Sequence, residues 1–344
     1  MRLPNGQLSY RFIKSALAWG VLSTQIVLGK SPRAQLDQPI HFQGVGDASA
    51  AVAIGARFFI TASDEEHQLR VYNRDAGGPP VSTFELAPYL SPHKAMHQLD
   101  LEGAARIGSR VFWIGSHSRN QEGQRRAASE NLFAVEVLRL DPAPVLQFVG
   151  QPYTRLLEDL CASSIGRKFH LREATKADPR SREGLNIEGM SSSEDQHLWI
   201  GFRTPIPQRL ALLVEITNPN ALTSGQRAVF GRAITLDLDG LGIRDLAFDG
   251  RRYYILAGAH DGKDKAALFR WNGRDDAPKR FKLPQLQAFN PEAIAIFDKE
   301  KPEAIYLFTD SGHGKDRTRK EIDNSFECLR VEVSKTKPAG PGLQ

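Results

Sequence analysis

Apolar residues in this chain gather in short runs rather than at helical spacing. The runs are rich in Val, Ile, Phe and Tyr and are bounded by Gly, Asp, Asn and Pro. That pattern predicts antiparallel strands joined by tight turns, because branched and aromatic side chains suit a pleated surface and Gly, Asn and Pro supply turn geometry. The runs also repeat. Five times an acidic residue stands beside a short apolar strand: Asp47 in GDASAAVAI, Glu102 in DLEGAARI, Glu188 in NIEGMSSS, Asp245 in IRDLAFDG and Glu292 in NPEAIAIF. A more apolar strand follows each one: RFFITASD, RVFWIGSH, HLWIGFRT, RYYILAGAH and AIYLFTDSG. A third strand comes after a variable loop, and four units add a more polar fourth, as in VSTFELAP, PVLQFVGQ, RAVFGRAI and KRFKLP.

Four-stranded units whose second strand is the most continuously apolar predict an all-β fold, a β-propeller of five blades. In that architecture the second strand is sandwiched between neighbouring sheets. A sixth blade within the long interval between Glu102 and Glu188 is the alternative. That interval contains YTRLLEDLCASSIGRKF, where Leu156, Leu157, Leu160 and Ile165 roughly follow helical spacing, so a helical insertion is predicted near 152–185. The fifth unit lacks a fourth strand. The segment QPIHFQG, ahead of the first repeat, is expected to supply it and close the ring, which removes an exposed strand edge. The propeller is expected to span 36–333, followed by a flexible tail, 334–344.

Composition narrows the classes. With 41% hydrophobic and 25% charged residues among 344, the chain is no disordered protein. The net charge is +5, but acids and bases alternate and no Lys/Arg run is interleaved with aromatics, so a nucleic-acid partner is not expected. Two cysteines, Cys161 and Cys328, exclude a disulfide framework and are expected to be reduced core residues. At the N-terminus, Arg2, Arg11 and Lys14 precede SALAWGVLSTQIVLG, which fits a secretory signal over a region ending near residue 35. A packed strand or short helix is the alternative. A signal would place the protein in the periplasm or outside the cell rather than in the cytoplasm. The stretch is too short and polar for a stable membrane span.

The start of the first strand and the end of the second lie at the same edge of an antiparallel hairpin. Asp47, Glu102, Glu188, Asp245 and Glu292 are therefore expected near one mouth of the central channel. Residues ending the second strands should rim it: Asp64, Glu65, His117, Arg119, Arg203, His260, Asp261, Asp310 and His313. Converging carboxylates repel unless a cation lies between them or some are protonated. Hard oxygen donors in that number suit Ca²⁺, which makes the five acidic openers candidate metal ligands. A metal-activated water beside His117, His260 and Arg203 would suit phosphoester hydrolysis, and these three are the catalytic candidates. The competing reading is structural: carboxylates at strand starts accept backbone N–H bonds and hold blades in register. His93 and His97 have the i, i+4 spacing of paired metal ligands but suggest no third. No GxSxG or HExxH occurs.

The order GDASAAVAI, FFITASDEEHQLRVY, DLEGAA, NIEGM, IRDLAFDG and NPEAIAIF resembles a bacterial family catalogued as a domain of unknown function, over roughly residues 40–333. That family is similar to phytase-like and esterase-like propeller domains, in which an acidic residue followed by Gly or Ala opens successive blades. The resemblance implies a propeller and a calcium-dependent phosphoester hydrolase ancestry. The phytase group itself has six blades and a denser set of acidic ligands. Two functions follow: a Ca²⁺-dependent hydrolase of a phosphorylated or ester-containing small molecule, or a non-catalytic propeller that binds a ligand or protein through the same mouth.

Overall fold

The computed structural model describes residues 34–36, 38–90, 98–120, 122–262, 266–274, 276–283, 286–297, 303–309 and 324–333. It contains five antiparallel sheets. After two N-terminal strands, β1 (Ala34–Leu36) and β2 (Ile40–Gln43), the first blade runs β3 (Ala50–Ala53), β4 (Phe58–Ala62), β5 (Gln68–Asn73) and β6 (Ser82–Glu85). The second runs β7 (Leu101–Ile107), β8 (Arg110–Gly115), β9 (Leu132–Arg139) and β10 (Val145–Tyr153). The third runs β11 (Asn186–Ser192), β12 (Leu198–Thr204), β13 (Ala211–Ile216) and β14 (Phe230–Leu236). The fourth runs β15 (Gly242–Phe248), β16 (Tyr253–Gly258), β17 (Ala267–Trp271) and β18 (Lys279–Arg280). The fifth has β19 (Pro291–Ala295), β20 (Ala304–Thr309) and β21 (Ser325–Val333).

The fifth blade takes its outer edge from the N-terminus. Both β2 and β1 pair with β21, with Ile40 opposite Cys328 and Ala34 opposite Val333. Each inner strand packs against the next, and β19 returns to β3, so the ring closes with five blades. The long interval holds no sixth blade. It forms three short helices, Leu156–Ala162, Ser164–Lys168 and Leu171–Ala174.

Five apolar clusters, one per seam between blades, hold the described residues together. The period of a strand explains how one blade serves two seams. Along β4, Phe58, Ile60 and Ala62 pack toward the second blade, while Phe59 packs toward the fifth. The helical insertion lies on the seam between the second and third blades, burying Leu156, Leu160, Ile165 and Leu171 there. At the closing seam, Phe42 of β2 is fully buried, stacked on Phe326 at 5.2 Å and edge-on to Phe59 at 5.1 Å. Cys161 and Cys328 are buried free thiols. Among the described residues no helix is long and apolar enough to cross a membrane.

Candidate functional site: an acidic cup on the propeller axis

The channel widens at one mouth and is narrow along its inner strands. Small and apolar residues of the inner strands, Ala51, Ala104, Met190, Leu246 and Ile294 among them, leave a space of only about 40 Å³ there. Above this constriction lies a polar cup of about 1150 Å³.

A backbone irregularity decides which side chains form its floor. Four inner strands carry a register shift at the same level: between Leu101 and Gly103, Ile187 and Gly189, Ile243 and Asp245, and Pro291 and Ala293. The extra residues are Glu102, Glu188, Arg244 and Glu292. A bulge leaves its extra residue outside the ladder and re-aims the side chain. Counted back from the constriction, the corresponding residue of the first blade is Ser49.

The structure thus brings Glu102, Glu188 and Glu292 together but not Asp47 or Asp245. Asp245 stands one residue past its bulge. It is buried and accepts backbone N–H bonds from Leu246 at 2.8 Å and from Ile294 of the fifth blade at 2.9 Å, with Met190 of the third blade also donating. Burial pushes its carboxyl well up, and these donors partly offset that. Asp245 is a clasp across three inner strands. Asp47 does not line the cup, but it shares a side-chain hydrogen bond with Asp64 and accepts from the Ser49 hydroxyl at 2.8 Å and the Asp64 N–H at 3.4 Å. The glycines after Glu102 and Glu188 serve packing between blades. A Cβ at Gly103 would lie 3.0 Å from the Met190 nitrogen, and one at Gly189 would lie 2.7 Å from a Leu246 methyl.

Asp64 and Asp100 complete the acidic floor. Carboxylate oxygens of Asp64, Asp100 and Glu102 all lie within 4.8 Å of one another. Asp64 is pushed up to about 9, first by burial and then by Asp47 and Asp100. Glu102 is pushed well up by burial and by Glu188, Asp100, Asp64 and Glu292. Arginines neutralise the other members. Arg203 contacts Glu188 at 2.5 Å, Arg244 contacts Glu292 at 3.2 Å, and Arg126 and the Ser116 hydroxyl both donate to Asp100. Burial would lower the Arg203 guanidinium, but Glu188, Glu292 and Glu102 outweigh it and hold it up. Glu102 accepts no hydrogen bond and forms no ion pair among the described residues.

The rim comes from four places. Glu65, Arg119, His260 and Asp261 line the cup, as does the segment Asp178–Arg180 that follows the helical insertion. His260 joins two of these elements: its Nδ1 donates to the Arg180 carbonyl at 2.7 Å, which leaves Nε2 as the acceptor of the neutral ring. His117 does not line the cup; it is buried behind the wall formed by Ser118 and Arg119. Asp310, His313, His93 and His97 lie outside the described residues, as do the signal-like segment and the C-terminal tail.

Asp100 and Arg126 of the cup, and Arg244 buried beside Glu292, escape a sequence reading. Asp100 precedes β7 in a left-handed conformation and Glu102 sits on the bulge, so strand alternation could not have paired them. Arg244 occupies the frame position of Glu102 and Glu188, but alignment on acidity shifts the fourth unit by one residue. Arg126 lies in a loop and had no signal.

Fold and cup together define a five-bladed β-propeller with a charged cavity at one mouth of its channel. Residues 163–318 match a family model described as a protein of unknown function, DUF3616, in line with the domain-of-unknown-function family that the blade motifs resemble. No curated protein matches the chain. Among solved structures, the major allergen Mala s 1 of Malassezia sympodialis is 9% identical, with 89% of this chain and 99% of that chain covered and a TM-score of 0.49. A putative oxidoreductase (glucose dehydrogenase) of Thermus thermophilus is 14% identical, covering 86% and 100% at a TM-score of 0.42. Virginiamycin B lyase of Staphylococcus aureus is 12% identical, covering 84% and 76% at 0.32. Likeness at this level carries no argument about chemistry.

Proposed function

We propose that the cup binds a divalent cation, Ca²⁺ by its donor chemistry, and above it a phosphorylated or ester-containing small molecule that the protein hydrolyses. One observation carries this reading: Asp64, Asp100 and Glu102 offer oxygens within 4.8 Å of one another, and Glu102 has no partner of its own. Oxygens bound to one Ca²⁺ at about 2.3–2.6 Å lie at most about 5 Å apart, so the spacing fits. A cation bound there would supply positive charge and Lewis acidity toward a phosphoryl or carbonyl oxygen. Arg203, paired with Glu188, orients the anionic group, and Arg126, paired with Asp100 in the neighbouring blade, does so beside it. His260, with Nδ1–H fixed on a backbone carbonyl, presents Nε2 to accept a proton at the rim.

Calorimetric titration of the chelator-treated full chain with Ca²⁺ tests the cation. Micromolar binding, weakened at least tenfold in Glu102→Gln and Asp64→Asn, supports the site; equal affinity in both variants refutes it. A screen of phosphomonoesters and carboxylic esters with Ca²⁺ present then tests hydrolysis. A specific observation favours the second reading, a non-catalytic binding propeller: Glu188 and Glu292 already have arginine partners, so much of the cup is neutralised before any ligand arrives. Saturable ligand binding without turnover supports that reading.

A further inference from the structure

His117 stands apart from the cup because it belongs to a different cavity. Between the loops of the second blade and the helical insertion lies a space of about 490 Å³. Ser118, Arg119 and Arg125 face both cavities and separate them. Arg119 pins this wall to the insertion: its Nε donates to the Thr175 carbonyl and its Nη1 to the Gly123 carbonyl at 2.7 Å.

His117 lines this second cavity in an unusual state. Its φ is +53°, a left-handed conformation that His adopts more readily than most residues, and it is only 3% exposed. Nδ1 lies 2.9 Å from the Gly115 carbonyl. A carbonyl only accepts, so Nδ1 carries the proton and Nε2 of the neutral ring is an acceptor. Burial holds this imidazole below its ordinary value, which keeps it neutral. Nε2 has no partner among the described residues. A buried acceptor without a donor costs about 1–3 kcal/mol, so its retention calls for a use.

Arginines outnumber acids in the remaining lining. Arg155 and Arg172 form no ion pair among the described residues, and Arg119 hydrogen-bonds only to carbonyls. The two acids of the cavity are already engaged, Glu130 with Arg125 and Glu158 with Arg227. Burial pushes the Cys161 thiol up, so it stays protonated and offers no nucleophile.

We infer that this second cavity binds a small oxyanion that also carries a hydroxyl, a phosphorylated or carboxylated polyol, with the anion held by Arg119, Arg155 and Arg172 and the hydroxyl donating to His117 Nε2. The site is non-covalent and independent of the cation site in the cup.

The test is calorimetric titration of the full chain with glycerol 3-phosphate, glycerate and sulfate, the last having no hydrogen to donate near neutral pH. Glycerol 3-phosphate or glycerate is expected to bind at one site, at least tenfold tighter than sulfate, and the stronger of the two identifies the oxyanion. Arg155→Gln and Arg172→Gln alter exposed side chains, so folding should persist, and each is expected to weaken binding about tenfold or more. His117→Phe should abolish the advantage over sulfate, while Glu102→Gln should leave binding unchanged. The inference is overturned by absence of saturable binding, by full affinity in both arginine variants, or by loss of binding in Glu102→Gln, which would move the anion to the cup. If His117→Phe does not fold, the arginine variants and the sulfate comparison still decide.

Discussion

Arg203→Met is the perturbation that most directly tests the electrostatics of the cup. The side chains of Arg203 and Glu188 are 15% and 8% exposed and meet at 2.5 Å. Glu292 and Glu102 also act on the same guanidinium. Charges separated by about 4 Å at an effective dielectric near 20 attract by about 4 kcal/mol. Removing one partner of a buried pair typically costs about 3–5 kcal/mol, because the other charge stays buried without compensation. Methionine keeps most of the apolar stem, so the loss reports charge rather than volume. With an m-value of about 3 kcal/mol per molar, the urea midpoint should fall by at least about 1 M. Circular dichroism during urea titration at neutral pH, without added divalent cations, reads this directly. Arg203→Met/Glu188→Gln should recover part of the loss, since two of the offending charges leave together. A loss below about 1 kcal/mol would falsify the claim that Arg203 neutralises a buried Glu188, for it would mean an exposed-type pair.

Other consequences can be measured on the same scale. Phe42→Ala should cost about 3–5 kcal/mol in chemical denaturation, because the ring it empties is fully buried at the closing seam; a cost under about 1 kcal/mol would mean that β2 does not fasten the ring. Asp245→Ala leaves at least two buried backbone N–H groups unpaired, at about 1–3 kcal/mol each, and should destabilise without changing Ca²⁺ affinity; altered cation binding would return Asp245 to the site. Burial would raise the Glu215 carboxyl, but bonds from Arg232 and His197 outweigh it and hold the group down. A lowered carboxylate contributes stability above its unfolded value, about 4.3, and that stability is lost as pH falls through the folded value. Glu215→Gln should therefore flatten the acid limb of the stability curve, and an unchanged limb would contradict the ion pair.

How far the sequence could be read depends on what each feature encodes. The blades were legible because burial on both faces of β4 or β12 demands continuous apolar residues, a local requirement repeated five times. Ring closure was legible for a related reason: CLRVEV had no following strand, and IHFQ ahead of the first repeat had no other partner. Side-chain direction was harder, because it follows register, and register changes by one residue wherever a bulge intervenes. At Glu102, Glu188 and Glu292 the acidic residue is itself the bulged one. In the fourth blade the bulge falls on Arg244, so the acidic neighbour Asp245 turns away and a guanidinium pairs with Glu292. That exchange has an electrostatic logic that no local pattern carries. Five carboxylates at this level would leave their repulsion to a bound ion alone, whereas Arg244, with Arg203 from the end of β12, offsets Glu292 and Glu188 and leaves the Asp64, Asp100 and Glu102 corner uncompensated by any strand residue. The ring is therefore polarised toward the first two blades, and the cation proposed for the cup belongs at that corner rather than on the axis.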